Sequence, residues 1–302
     1  MDLDQLTTTE ARNPLTGELD TLPITDLLTV MNREDRKVAE AVGLAIPEIA
    51  AAVEKVADAF RAGGRLIYLG AGTSGRLGVL DAVECPPTFG TDPRQVVGVM
   101  AGGLGAFMQA AEGAEDSAEL AGRDVANLEV TSRDVVVGIA ASGRTPYVIG
   151  GLQAARARGA VTVSIACNPR AEVSRHADIA VEVDNGPEVL TGSTRLKAGT
   201  SQKLILNMIS TAAMVQVGKV YGNLMVDVRP TNLKLVGRAQ RIIRDATGCD
   251  EDQAKAAYEL SGGSAKTAIV MVLTGCDRAT AEERLAGAGG FIRRAVSDRS
   301  GS

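Results

Sequence analysis

The segment Leu66-Ile-Tyr-Leu-Gly-Ala-Gly-Thr-Ser-Gly-Arg76 constrains the chain more than any other. An apolar run suited to a buried strand passes directly into a loop of three glycines and two hydroxyls. Glycine lets the backbone turn tightly and present bare N–H groups. Thr73 and Ser74 add hydroxyls, and a helix starting there directs its positive N-terminus at an anion. The pattern predicts a strand–loop–helix unit with a phosphate cradle that includes Gly72. A second unit of this kind spans Asp134 to Pro146, where an apolar strand ends in Ser142, Gly143, Arg144 and Thr145. Two cradles predict a phosphorylated small molecule at the carboxyl ends of parallel strands.

The first loop also spells G-x-G-x-x-G, the fingerprint of a dinucleotide site. That site needs a carboxylate at the end of the next strand to hold a ribose. The next strand-like run, Gln95 to Met100, ends in Ala101-Gly102-Gly103. The lysine of a nucleoside-triphosphate loop is missing as well, so a nucleotide is disfavoured against another phosphorylated small molecule.

Composition narrows the classes further. At 302 residues the chain holds one large domain, or one with an appendage. No apolar run approaches the ~20 residues of a membrane span, and Met1-Asp-Leu-Asp-Gln5 lacks a signal-peptide pattern. A cytoplasmic protein without a membrane partner is expected. A net charge of −5 with interspersed signs argues against a nucleic-acid partner. Cys85, Cys167, Cys249 and Cys276 lie far apart and there is one histidine, His176, so no zinc site is expected. With no tryptophan, a sugar cannot rely on ring stacking, and phosphate becomes the natural anchor.

Residues 7–25 read as an extended arm, followed by a short helix from Asp26 and a longer one from Asp35 to Arg61, bent at Pro47. Strands are expected at 65–70, 95–100, 134–140, 161–166 and 178–183. Helices are expected at 74–83, 104–121, 145–158 and 169–174, and from Ala198 to Val217. Strands as apolar as Val135-Val-Val-Gly-Ile139 imply an α/β fold, with a parallel sheet buried between helix layers. Beyond Arg238 the pattern is helical only, punctuated by glycine pairs. The expected division is 1–54 (arm and helices), 55–218 (sheet domain), 219–237 (linker) and 238–302 (helical module).

No nucleophilic triad is available, which leaves carboxylates for acid–base work. Glu84 falls where Pro86 and Pro87 are expected to halt the first helix, placing it beside the cradle; a solvated helix-end glutamate is the plainer alternative. Glu115 lies among Glu112, Asp116 and Glu119 at helical spacings, which an exposed acidic stripe also explains. Residue chemistry alone does not separate Glu115 from these neighbours.

Longer motifs do. Leu6-Thr-Thr-Thr-Glu-Ala-Arg-Asn-Pro14, Gly70 to Arg76, Asp81-Ala-Val-Glu-Cys-Pro-Pro-Thr-Phe-Gly90, Ala101-Gly-Gly103, Ala111-Glu-Gly-Ala-Glu-Asp116, Ala140 to Tyr147, Gly186 to Lys203 and Gly222 to Asp227 together resemble the N-acetylmuramic acid 6-phosphate etherases, lyases of the sugar isomerase (SIS) fold. The glucokinase regulatory protein shares part of the set but is longer, with two SIS domains.

The resemblance implies a flavodoxin-like three-layer SIS domain and a C-terminal module like a ubiquitin-associated domain. It implies a homodimer whose partner subunit helps close the pocket, and a reaction without a cofactor. The substrate would be N-acetylmuramic acid 6-phosphate, and the products N-acetylglucosamine 6-phosphate and D-lactate. Glu84 corresponds to the family's proton donor and Glu115 to its partner base. Phosphate contacts would come from Gly72, Thr73, Ser74, Ser142, Gly143 and Thr145, with Arg144 on phosphate or carboxylate. Arg195 and Lys197, basic residues of the longest motif, are candidates for the lactyl carboxylate, with packing or a subunit contact as the alternative. A phosphosugar-sensing regulator and a phosphosugar isomerase of the same fold are the alternatives.

Overall fold

The computed structural model describes residues 7–109, 111–230 and 233–297. By internal contacts the chain forms two compact units, one from residues 1–83 with 94–210, the other from 84–93 with 211–302.

The first unit is built on five parallel strands: β1 (Leu66–Gly70), β2 (Val96–Met100), β3 (Val135–Ala140), β4 (Val161–Ala166) and β5 (Ile179–Glu182). They lie in the order β2-β1-β3-β4-β5, all pairs parallel. This is the flavodoxin-like doubly wound order, in which the chain reverses direction between β1 and β3. Residues 66–69 of β1 and all of β3 are buried, so the strands carry apolar side chains on both faces.

Helices cover both faces. On one lie α5 (Ala118–Asn127) and α6 (Pro146–Ala157), packed over Ile67, Leu69 and Val136. A Cβ on Gly150 of α6 would stand 2.6 Å from the Ala118 carbonyl, so glycine permits the close approach of the two helices. On the other face α2 (Ile46–Arg61) packs on β1, β3 and β5, preceded by α1 (Ile24–Leu44). Pro47 does not bend one long helix; it stands in the first turn of a second, where its missing N–H costs nothing. The arm is not extended throughout but is punctuated by three short 3₁₀ turns.

Two expectations fail here for physical reasons. Helix α3 runs from Gly72 to Phe89 with Pro86 and Pro87 inside it, rather than stopping at Glu84. The helix expected over 104–121 is broken into α4 (Gly105–Met108), a 3₁₀ turn at Ala114–Asp116 and α5. Gly113, with a φ of +71°, interrupts it, so the acidic residues do not form a helical stripe. Helix α7 (Lys197–Gln216) follows the long polar loop after β5.

In the second unit, a short hairpin of β6 (Val220–Tyr221) and β7 (Leu224–Met225) turns at Gly222-Asn223. Helices α8 (Leu233–Thr247), α9 (Glu251–Leu260), α10 (Ala265–Thr274), α11 (Arg278–Gly287) and α12 (Ile292–Ser297) enclose Ile242, Ile243, Ile269 and Ile292. Asp250, Ser264 and Asp277 accept from backbone N–H groups and cap α9, α10 and α11. Asp227 accepts from Lys266 and pairs with Lys219, fixing the hairpin to α10. Among the described residues, no helix is long and apolar enough to cross a membrane.

Candidate active site

The two strands flanking the chain reversal, β1 and β3, are those that end in the predicted cradles. Gly70 closes β1, and Gly72 (φ +52°) opens α3. The loop tolerates no side chain at Gly75, whose Cβ would lie 2.6 Å from the Gly70 carbonyl oxygen and 2.6 Å from the Met100 Cβ. The helix start leaves its first N–H groups without helical acceptors, at the positive end of the dipole. Thr73 is half-buried, and Ser74 is buried with its hydroxyl donating to Gln202 Oε1 at 3.0 Å. The Gln202 Nε2 beside it is buried without a partner among the described residues.

The second cradle turns on Gly143 (φ +73°), where a Cβ would meet the Ala171 Cβ at 2.4 Å. The Arg144 N–H donates to Ser142 Oγ at 3.4 Å. Thr145 precedes α6 without capping it, and the Arg144 side chain is exposed. Asn168 braces the loop from behind, its Nδ2 donating to the Ala141 and Ser142 carbonyls at 3.1 and 3.2 Å. Thr9 of the arm in turn fixes Asn168 through bonds of 3.1 and 3.0 Å. Neither residue has a local signal of this role, because 159 positions separate them.

Glu115 lies on the 3₁₀ turn and lines a cavity of about 230 Å³ with Ala71 and Gly72 of the first cradle, Arg76, Ala101 and Glu112. The structure therefore brings this carboxylate to the cradle. It brings Glu112 as well. Glu84 is not among the cavity's lining residues. It is exposed, twelve residues along α3 from Gly72, which corresponds to about 18 Å of helix rise. The expectation that two prolines halt the helix at Glu84 is corrected: the helix continues through them.

The basic pair of the long motif also divides. Arg195 is exposed ahead of α7. Lys197 is buried, its Nζ donating to Glu34 Oε2 at 3.0 Å and to the Asn185 carbonyl at 2.8 Å. Both bonds face inward, so Lys197 is not placed to reach a lactyl carboxylate. Burial pushes the Glu34 carboxyl up, but hydrogen bonds from Lys37, Lys197 and Asn13 hold it down at about 2. Burial pushes the Cys167 thiol up to about 12, which removes it as a nucleophile. Among the described residues, no group of three or more His, Cys, Asp or Glu is arranged to hold a metal ion.

The Glucokinase regulatory protein N-terminal SIS domain family matches residues 48–156, and the SIS domain family matches residues 114–212. The chain is 61% identical to the N-acetylmuramic acid 6-phosphate etherase of Mycolicibacterium smegmatis, over 98% of this chain and 99% of that one. It is 59% identical to N-acetylmuramic acid 6-phosphate etherase 2 of Lactiplantibacillus plantarum, over 98% and 100%. Identity to the etherase of Klebsiella aerogenes is 54%, over 99% of each chain. At such identity over nearly the full length, the chain belongs to the N-acetylmuramic acid 6-phosphate etherase family and carries its SIS fold.

Proposed function

We propose that this chain cleaves the D-lactyl ether of N-acetylmuramic acid 6-phosphate, giving N-acetylglucosamine 6-phosphate and D-lactate, in the recycling of peptidoglycan amino sugars. The observation that carries the reading is the cavity that joins Glu115 to the first cradle. A cradle holds the phosphate while a carboxylate works on the sugar carbons some way from it. The etherase name of relatives at 54–61% identity supports the substrate.

An ether is hard to hydrolyse directly, but this one lies β to the aldehyde of the ring-opened sugar. Glu115 removes the proton from carbon 2, the enolate re-forms a double bond between carbons 2 and 3, and the carbon 3–oxygen bond breaks. The departing lactate oxygen takes the bonding electrons and a proton from Glu84. Water then adds across the unsaturated aldehyde: Glu84, now ionised, takes one of its protons as the hydroxyl bonds to carbon 3, and Glu115 returns its proton to carbon 2, which restores both carboxyls. Gly72, Thr73, Ser142, Gly143 and Thr145 are assigned to the phosphate, and Ser74 to holding the cradle through Gln202. Arg144 is assigned to phosphate as an exposed cation. A cytoplasmic homodimer is part of the proposal, its partner subunit completing the pocket.

Incubation with N-acetylmuramic acid 6-phosphate and an assay for D-lactate tests the reading. Stoichiometric lactate and N-acetylglucosamine 6-phosphate are expected. Aldose–ketose interconversion without lactate would point to an isomerase, and binding without turnover to a regulator.

A further inference from the structure

Among its described lining residues the cavity holds one cation, Arg76, that this mechanism leaves unassigned. Arg76 stands in the second turn of α3, and helical side chains lean toward the helix N-terminus, here the cradle. Its Nε donates to the Phe107 carbonyl and its Nη2 to the Ala106 carbonyl, each at 2.9 Å. These two donors form one edge of the planar guanidinium. The remaining Nη1 and Nη2 hydrogens have no protein acceptor among the described residues.

The charged residues that share the cavity wall are Glu112 and Glu115. A substrate carboxylate entering so acidic a space meets repulsion unless a cation offsets it. Arg76 is the cation among the described lining residues, and a guanidinium edge matches a carboxylate in shape and charge. Substrate connectivity makes the same demand. The lactyl carboxyl carbon is four bonds from carbon 2, through carbon 3, the ether oxygen and the lactyl α-carbon. The base at carbon 2 and the receptor for the carboxylate must therefore share one small cavity.

We propose that Arg76 is a specificity-determining residue that binds the lactyl carboxylate through its free guanidinium edge. This rests on the etherase reading above. The bound edge meanwhile braces the Ala106–Phe107 turn ahead of Glu112 and Glu115, so one side chain both reads the leaving group and steadies the segment leading to the base.

The test compares the natural substrate with an analogue whose lactyl carboxylate is replaced by a carboxamide. Wild type is expected to favour the carboxylate by ~10²-fold in kcat/KM, the loss typical of a charge-assisted bond. Arg76→Ala should bring that ratio close to one, mainly by slowing the natural substrate, and added methylguanidinium should restore activity on the carboxylate alone. Arg76→Lys, which keeps the charge but not the fork, should retain part of the preference and serves if the alanine variant does not fold. An unchanged ratio in either variant, or an equal loss on both substrates, would overturn the assignment and leave Arg76 as a brace. A wild-type chain that releases no lactate from the natural substrate would instead sink the etherase reading, and this assignment with it.

Discussion

The Glu188 carboxylate accepts the Lys197 N–H at 2.9 Å, with its other oxygen on the Ala198 N–H at 2.9 Å. The positive end of α7 is therefore occupied by an anion of the chain itself, and is not an open phosphate site. The Lys197 side chain turns inward to Glu34, so backbone and side chain of one residue join two buried carboxylates.

The first prediction follows from that pair. Lys197→Met leaves Glu34 buried and short of a partner, and removal of one member of a buried pair costs about 3–5 kcal/mol. A drop in Tm is expected, with KM for the phosphosugar near the wild-type value at temperatures where the variant stays folded. A large rise in KM with unchanged Tm would return Lys197 to the substrate. The pH dependence has a definite sign. Glu34 is held at about 2 against an ordinary 4.5, so its ionised form stabilises the fold above the ordinary value. That stability drains away as pH falls from 4.5 toward 2. The Tm gap between wild type and Glu34→Gln should narrow over that window.

The same residues show what was legible in the sequence. The strands, their parallel arrangement and both cradles follow from local patterns, since an apolar run ending in glycine and hydroxyls carries its meaning within a dozen residues. Lys197 misled because a lysine in a polar motif looks the same whether it faces a ligand or Glu34, 163 positions away. The Asn168–Thr9 brace was invisible for the same reason. The end of α3 was misread for a different reason: two prolines ordinarily end a helix, yet α3 absorbs both. Arg76 closed the first motif in plain view, but only the fold brings it to Glu115.

A second prediction concerns the second cradle. Gly143→Ala forces a Cβ to 2.4 Å from the Ala171 Cβ at a backbone φ of +73°. Overpacking of this kind costs about 1–3 kcal/mol. The loop must shift to relieve it, and the expected result is a lowered Tm with a sharp loss of phosphosugar affinity, read by calorimetric titration with N-acetylglucosamine 6-phosphate. Unaltered affinity in a folded variant would remove this loop from the phosphate site.

A third prediction separates the carboxylates. In deuterated water, Glu84→Ala should still exchange the carbon 2 proton of recovered substrate while releasing almost no lactate. Glu115→Ala should lose both, because the enolate does not form. Each loss should reach ~10²–10⁴-fold. Glu112→Gln shares the cavity wall and is the control, with lactate release expected near the wild-type rate. If Glu112→Gln fails where Glu115→Ala survives, the base has been assigned to the wrong member of the acidic turn. Exchange lost in Glu84→Ala and kept in Glu115→Ala would reverse the two roles.

The last prediction asks which chain supplies Glu84. Helix α3 is continuous from the cradle to Glu84, and about 18 Å of rise separates Gly72 from it. Glu84 belongs to the other compact unit from the cradle, and in the proposed homodimer it is expected to serve the cradle of the other chain. Mixing inactive Glu84→Ala and Glu115→Ala chains, with unfolding and refolding to exchange partners, decides it. In a mixed dimer of this design one of the two sites has both glutamates and the other has neither. Random pairing makes half of the dimers mixed, so lactate release should recover to about a quarter of wild type. If each chain builds its site alone, every site in the mixture lacks one glutamate, and activity should remain at the level of the separate mutants.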